Sequence, residues 1–325
     1  KSDFTATSTH AEVIEFQETL AELSPQVTNQ EIGLTVNGRS MLATVVAKAP
    51  YQLGNHDDPR LRVLLLGNIH SGECAGKEGL LILMRELAQH SDHRWLDNMV
   101  VVFLPNYNAD GNDRIGRNEI HRRGQMGPAA GMGLRENSQQ LDLNRDFVKI
   151  DSPEGRSLVG LIDKLNPHLF IDCHTTNGSR HRYQLTYDVP HNPTAPAALK
   201  KFLRNDMMPA ITRDLEKKGI STFYYGNFSR DQLAWKTYGH QPRYSTEYVG
   251  LRGRLSILSE AYSYISYKER IQATAAFVTQ CLDYVDDHRI KVIQLLDGIQ
   301  QQSRHNSTKA QLSLGAEVRP FKEKF

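Results

Sequence analysis

His70 and Glu73 lie three residues apart in "HSGE", directly after the apolar run "LRVLLLGNI". A catalytic zinc site takes three protein ligands, commonly histidine and glutamate, and leaves one position for water. His174, about a hundred residues on in "FIDCHTTNG", ends another apolar run and would complete a His2Glu set. Taken alone, H-x-x-E also fits an ordinary polar loop, and His174 also fits a satisfied core histidine.

Three further stretches carry chemistry. In "LDLNRDF", the guanidinium of Arg145 and the amide of Asn144 can hold a carboxylate between them. Asp142, two residues earlier, can accept the outer N–H of a metal-binding histidine and so fix its ring. The competing reading of this stretch is a helix cap with a surface ion pair. In "LSILSEAYSY", Glu260 closes an apolar strand, where a carboxylate is costly unless paired or functional. Beside the water of a metal site it can act as general base, and its plain alternative is a salt-bridged strand end. "RNEIHRRGQ" reads as a solvated loop or a source of further carboxylate-binding arginines, Arg122 and Arg123.

These residues need a frame that brings them together. The spacing predicts a helix over 9–23, a hairpin in "IGLTVNGRSMLATVV" about Asn37–Gly38, and then alternating strands and helices. Strands are expected at 61–66, 99–104, 169–172, 221–225 and 255–259, and helices at 75–89, 153–165, 195–218 and 267–296. Continuous apolar runs such as "RVLLLGN" and "MVVVFLPN" mark strands buried on both faces. The fold class is therefore α/β: a doubly wound, mixed but mostly parallel sheet with helices on both faces. In such sheets ligands bind beyond the carboxyl ends of the strands, and His70, Asn106, His174 and Glu260 all fall there. Residues 1–300 read as one catalytic domain and 301–325 as a polar tail or linker.

Composition excludes several classes. Lys plus Arg number 39 against 37 Asp plus Glu, net +2, so no overall field draws the chain to nucleic acid. No run approaches the about 20 apolar residues of a membrane span. Cys74, Cys173 and Cys281 form no CxxC pair and read as small buried hydrophobes. His10, His56, His90, His93 and His305 sit in polar stretches and read as solvent-facing. The start at Lys1 is expected of a trimmed chain, a removed export signal being one form of trimming, with a cytoplasmic location as the alternative.

In order and rough spacing, "HSGE" (70–73), "NYNADGN" (106–112), "RENSQQLDLNRDF" (135–147), "DCHTTNG" (172–178) and "SEAYSY" (259–264) resemble the zinc metallocarboxypeptidase family, over roughly residues 9–288. Arg135, nine residues before Asn144, looks like the regulatory branch of carboxypeptidase N, E and D type. The chain resembles still more closely a bacterial group of that family carrying "GNIHAGE", "NADGN", "DLNRDFVK" and "DCHTTNGS", many of whose members are exported, which implies a periplasmic or extracellular location. The resemblance implies one zinc ion on His70, Glu73 and His174, with Asp142 behind a histidine. It implies Arg135 polarising the scissile carbonyl, Asn144 and Arg145 clamping a free C-terminal carboxylate, and Glu260 as base. A tyrosine that closes over the substrate precedes the base in the family. Tyr248, twelve residues before Glu260, is preferred over Tyr244. "NADG" departs from the usual "NPDG", and "HTTNG" from "HSYS" or "HGG", a change beside the substrate pocket. The implied activity is zinc-dependent release of C-terminal residues from peptides. The alternatives are an amidase or deacylase acting on peptidoglycan stem peptides or acyl-amino acids, and a non-catalytic peptide-binding module.

Overall fold

A computed structural model describes residues 2–48, 51–176 and 178–305. Its elements in chain order are α1 (His10–Leu23), β1 (Val27–Leu34), β2 (Ser40–Val46), β3 (Leu61–Gly67), α2 (Ala75–Gln89), α3 (Trp95–Asn98), β4 (Met99–Leu104), α4 (Ala109–Asn112) and α5 (Asn118–His121). A 3-10 turn (Leu143–Arg145) follows, then α6 (Pro153–Leu165), β5 (Leu169–Thr176), β6 (Leu185–Asp188) and α7 (Ala197–Lys201). A π-helical segment (Phe202–Met207) runs into α8 (Met208–Lys217). The described residues end with β7 (Thr222–Tyr224), β8 (Asn227–Phe228), β9 (Trp235–Lys236), α9 (Ser245–Leu251), β10 (Leu255–Tyr262), α10 (Tyr267–Asp287) and α11 (Arg289–His305).

Local chemistry sets the element ends. Thr9 and Glu12 form a capping box on α1, and Ser266 and Glu269 do the same for α10. Ser152 caps α6 with Pro153 in the first turn, and left-handed Asn166 ends that helix. Gly38, at φ +75°, makes the turn between β1 and β2.

Eight strands form one mixed sheet in the order β1-β2-β4-β3-β5-β10-β6-β7. Pairs β3/β4, β3/β5, β5/β10 and β6/β7 are parallel, and the others antiparallel. The expected mixed, mostly parallel α/β sheet is the fold observed. Alternate residues of the central strands feed two cores: Val63, Leu65, Phe103 and Ile171 face α2 and α10, while Leu64, Leu66, Val102 and Phe170 face α6. Each leucine from 64 to 66 is fully buried, which stabilises the fold by about 1.5–3 kcal/mol per side chain. From β3 the chain passes to β4 on one side, while β5 lies on the other. The loops after β3 and β5 therefore diverge and open a crevice at the carboxyl edge.

Several expectations needed correction. β6 was not foreseen, because four residues ending in Asp188 carry too little pattern. The strands bearing His174 and Glu260 run to Thr176 and Tyr262, so both residues lie within strands rather than beyond them. The helix expected at 195–218 contains the π segment, which accommodates the missing backbone donor of Pro209. The helix expected at 267–296 breaks at His288, and α11 swings Val292, Leu296 and Ile299 onto the core. α11 also runs through residue 300, so the expected domain boundary falls inside a helix, and 306–325 of the expected tail lie outside the described residues. His56 and His90 are exposed as expected, but His10 is half-buried beside Asn106 and His93 packs on Trp95. The side chain of His305 lies outside the described residues. All three cysteines are free and buried, and among the described residues no helix is long and apolar enough to cross a membrane.

α2 meets β5 through Gly76. A Cβ there would lie 2.6 Å from Cys173 Cβ and 2.8 Å from the Cys173 carbonyl oxygen. Gly76→Ala is expected to destabilise the fold by about 1–3 kcal/mol in chemical denaturation despite alanine's better helix propensity. A variant as stable as the parent would contradict this close packing.

Candidate active site

The loop between β3 and α2 is clamped from below by "NYNADGN". Asn68, left-handed at φ +63°, donates from Nδ2 to Asn106 Oδ1 (2.7 Å) and Asn112 Oδ1 (3.0 Å). Ser71 Oγ donates to the Asn108 carbonyl at 2.7 Å, and the Glu73 N–H closes a turn onto the His70 carbonyl at 2.8 Å. Asn106, expected from its strand-end position to join the site, instead supports the loop from behind.

This loop aims His70 and Glu73 at His174 on β5. Both imidazole Nδ1 atoms converge on the Glu73 carboxylate, His70 on Oε1 at 3.1 Å and His174 on Oε2 at 2.9 Å. All three side chains are buried, with one donor atom from each within 4.8 Å of the others. The outward Nε2 atoms each meet a carboxylate: His70 meets Asp142 Oδ1 at 2.9 Å, and His174 meets Asp172 Oδ2 at 2.9 Å. Such partners fix the ring orientation of metal-binding histidines and raise their basicity. Asp142 occupies its expected place. Asp172 was missed, although a period of two along β5 puts it on the same face as His174.

The charges favour a cation. Burial opposes charge on His174, but Asp172 and Glu73 outweigh it and hold the imidazole well above its ordinary range. Burial likewise opposes charge on Glu73 and Asp142, yet Arg122 and His70 hold Glu73, and His70 and Arg135 hold Asp142, well below the carboxylate range. Two nitrogens and a carboxylate, each backed by a further group, fit zinc.

Around this centre a cavity of about 210 Å³ is walled by Arg122, Arg135, Asn144, Arg145, Tyr225, Tyr238, Tyr244, Thr246, Leu258 and Glu260. Glu260 on β10 stands directly opposite His174 in the parallel register. Its carboxylate makes no ion pair among the described residues, against the salt-bridged alternative, and burial pushes it up to about 8. The Ser245 N–H donates to Asn144 Oδ1 at 2.9 Å, which turns the Asn144 amide nitrogen inward, 3.4 Å from His174 Nε2. The Arg145 guanidinium, 37% exposed, lies 4.5 Å from the Tyr244 ring centre. Arg135 binds Asp142 through Nε and Nη2, at 3.1 and 2.8 Å, and reaches Glu73 at 3.4 Å.

Tyr248 is a correction. It lies outside the cavity wall, with its ring 5.5 Å from Phe147 and its hydroxyl accepting from Arg252. One turn of α9 separates it from Tyr244, which does line the cavity. The sequence signal for the pocket walls Tyr225, Tyr238, Thr246 and Leu258 is weak, since they come from four separate segments.

The family model for zinc carboxypeptidase matches residues 13–205. The chain is 27% identical over 185 residues to "Carboxypeptidase 2" of Trichophyton rubrum, covering 55% of this chain and 31% of that protein. It is 32% identical over 127 residues to "Carboxypeptidase Z" of Homo sapiens, covering 37% and 18%. The matches thus span under a third of these relatives. Among solved structures, a metallo-carboxypeptidase from Burkholderia cenocepacia aligns at TM-score 0.63 and 18% identity over 87% of this chain and 70% of its own. A metallo-carboxypeptidase from Pseudomonas aeruginosa, in complex with (2-guanidinoethylmercapto)succinic acid, aligns at 0.63 and 18% over 86% and 70%. The mixed sheet and the His2Glu donor set agree with that family match. The chain belongs to the zinc carboxypeptidase family.

Asp172 and Glu73 favour the charged imidazole of His174, whereas a metal ligand must be deprotonated, so zinc uptake is coupled to proton release. Calorimetric titration with zinc in buffers of different ionisation heat is expected to show release of roughly one proton at neutral pH. Asp172→Ala and Asp142→Ala are each expected to weaken zinc by about 10–100-fold in chelator competition.

Proposed function

We propose that this chain is a zinc-dependent carboxypeptidase that hydrolyses the peptide bond next to a free C-terminal carboxylate. One observation carries the reading: a carboxylate clamp, Asn144 with Arg145, opens into the same small cavity as the His2Glu set and an unpaired glutamate. That geometry favours a chain end over an internal bond.

Zinc held by His70, Glu73 and His174 would polarise the scissile carbonyl and make water a better nucleophile near neutral pH. The protein groups do the rest. Arg145 and the inward Asn144 amide bind the terminal carboxylate and fix the register of the last residue. Tyr244, stacked on Arg145, is the tyrosine placed to cover it. Arg135, oriented by Asp142, offers N–H donors to the carbonyl oxygen as negative charge grows there. Glu260 takes a proton from the attacking water and hands it to the leaving amine.

Glu260→Gln with zinc retained is expected to abolish turnover, and full activity in that variant would remove the base assignment. Arg135→Ala should lower kcat by about 10²–10³. Arg145→Ala should act mainly on KM. Peptides compared with their C-terminal amides test the clamp: near-equal rates would favour an amidase that ignores the terminal carboxylate.

The pH dependence follows from Glu260, which must be ionised to accept a proton. Activity is present above its pKa and lost tenfold per unit as pH falls below it. Burial raises that pKa from 4.5 to about 8, and a bound dication lowers it again. The acidic limb of kcat/KM is expected between these values, and a flat profile down to the ordinary carboxylate range would exclude Glu260 as the base.

A further inference from the structure

The arginines of the cavity form a line. Arg145 lies 3.8 Å from Asp142, Asp142 is 2.8 Å from Arg135, Arg135 is 3.4 Å from Glu73, and Glu73 is paired with Arg122. Three guanidiniums thus alternate with two carboxylates, from the clamp across the metal centre to its far side. Arg122 is buried at that far end and also donates to the Thr175 carbonyl. For a substrate with its carboxylate at Arg145 and its scissile carbonyl at Arg135, Arg122 in the same cavity is the next cation along that line.

Beyond Arg122 the surface continues as a basic, aromatic ridge. Arg123 is exposed, and Gly124, at φ +88°, packs so closely on Tyr264 that a Cβ would lie 3.3 Å from its ring. The Tyr264 hydroxyl donates to the Gly178 carbonyl at 3.1 Å, and the Arg180 guanidinium lies 4.7 Å from the Tyr264 ring centre. Ser263, next to Tyr264, accepts from the Met126 N–H at 3.0 Å, which ties the two segments into one rim. Arg182 follows on Tyr183 at 5.3 Å. None of Arg123, Arg180 and Arg182 forms an ion pair among the described residues. Stacking holds the Arg180 and Arg182 guanidinium planes in place with their N–H edges free, which suits a carboxylate partner.

We propose that the ridge of Arg123, Tyr264 and Arg180 is a subsite for acidic residues upstream of the scissile bond, so that the substrates are peptides with Asp or Glu a few residues before the C terminus. This rests on the carboxypeptidase reading, because that reading sets the direction of the bound chain. Successive residues of an extended peptide advance about 3.3–3.6 Å, so a subsite beyond Arg122 is met by residues upstream of the scissile bond rather than by the terminal one.

The test uses pentapeptides that share their two C-terminal residues and carry Glu-Glu, Ala-Ala or Lys-Lys just before them, with the zinc-loaded protein. kcat/KM for the Glu peptide is expected to exceed that for the Lys peptide roughly tenfold at low ionic strength, with the ratio approaching one in about 1 M salt. Arg123→Glu with Arg180→Glu should invert the ratio, and a ratio taken within one protein is insensitive to any loss of active fraction. The same peptides titrated onto zinc-loaded Glu260→Gln report binding without hydrolysis. If nothing is cleaved but Glu peptides still bind more tightly, the subsite stands and the carboxypeptidase reading falls. Equal ratios for Glu and Lys peptides, or a preference unchanged in the double variant, overturn the subsite. So does inhibition by oligothymidylate in the absence of peptide selectivity, which would make the ridge a nucleic-acid surface.

Discussion

The carboxylate of Glu73, 3% exposed, is the point on which the site converges. Its Oε1 faces His70, Arg122 and Arg135, and its Oε2 faces His174 and the Thr175 N–H at 2.9 Å. An ionised carboxylate at this depth is tolerated only with such compensation. Satisfying it draws together the loop after β3, the edge of β5, the loop carrying Arg122 and the loop carrying Arg135. Four segments distant in sequence are thus held by one buried charge.

The same economy extends outward through Ser245. Its hydroxyl donates to Asp172 behind His174, and its N–H donates to Asn144. The first residue of α9 therefore contacts both Asp172, which backs His174, and Asn144, while the ring of Tyr244 just before it lies against the Arg145 guanidinium. The placement of the Asn144 amide and the orientation of the His174 ring are thereby linked through one short helix. Asp142 plays a similar double part on the other side, orienting His70 with one oxygen and Arg135 with the other.

Much of this was legible because the chemistry is local in sequence. "HSGE" supplies two candidate ligands from one loop, "LDLNRD" supplies the carboxylate behind His70 and the proposed clamp pair within four positions, and the apolar runs of β3, β4 and β5 declare strands buried on both faces. β6 was illegible because its four residues owe their extended form to pairing with β10, not to their own pattern. Tyr248 was misplaced because distance along the chain to Glu260 does not say which side of α9 meets the cavity. Asp172 was overlooked because "DCH" reads as an ordinary strand until the second histidine nitrogen needs an acceptor.

Short motifs were enough to bring out the candidate donor set, the sheet that carries it and the proposed clamp pair, since their residue types have few other uses in combination. Only the tertiary structure decided which tyrosine faces the cavity, that Arg122 leaves a basic loop to neutralise Glu73, and that Arg123 and Arg180 flank one aromatic ring. Those outcomes depend on contacts between segments about 50 or more residues apart, where burial and charge compensation choose the partner and no local periodicity records the choice.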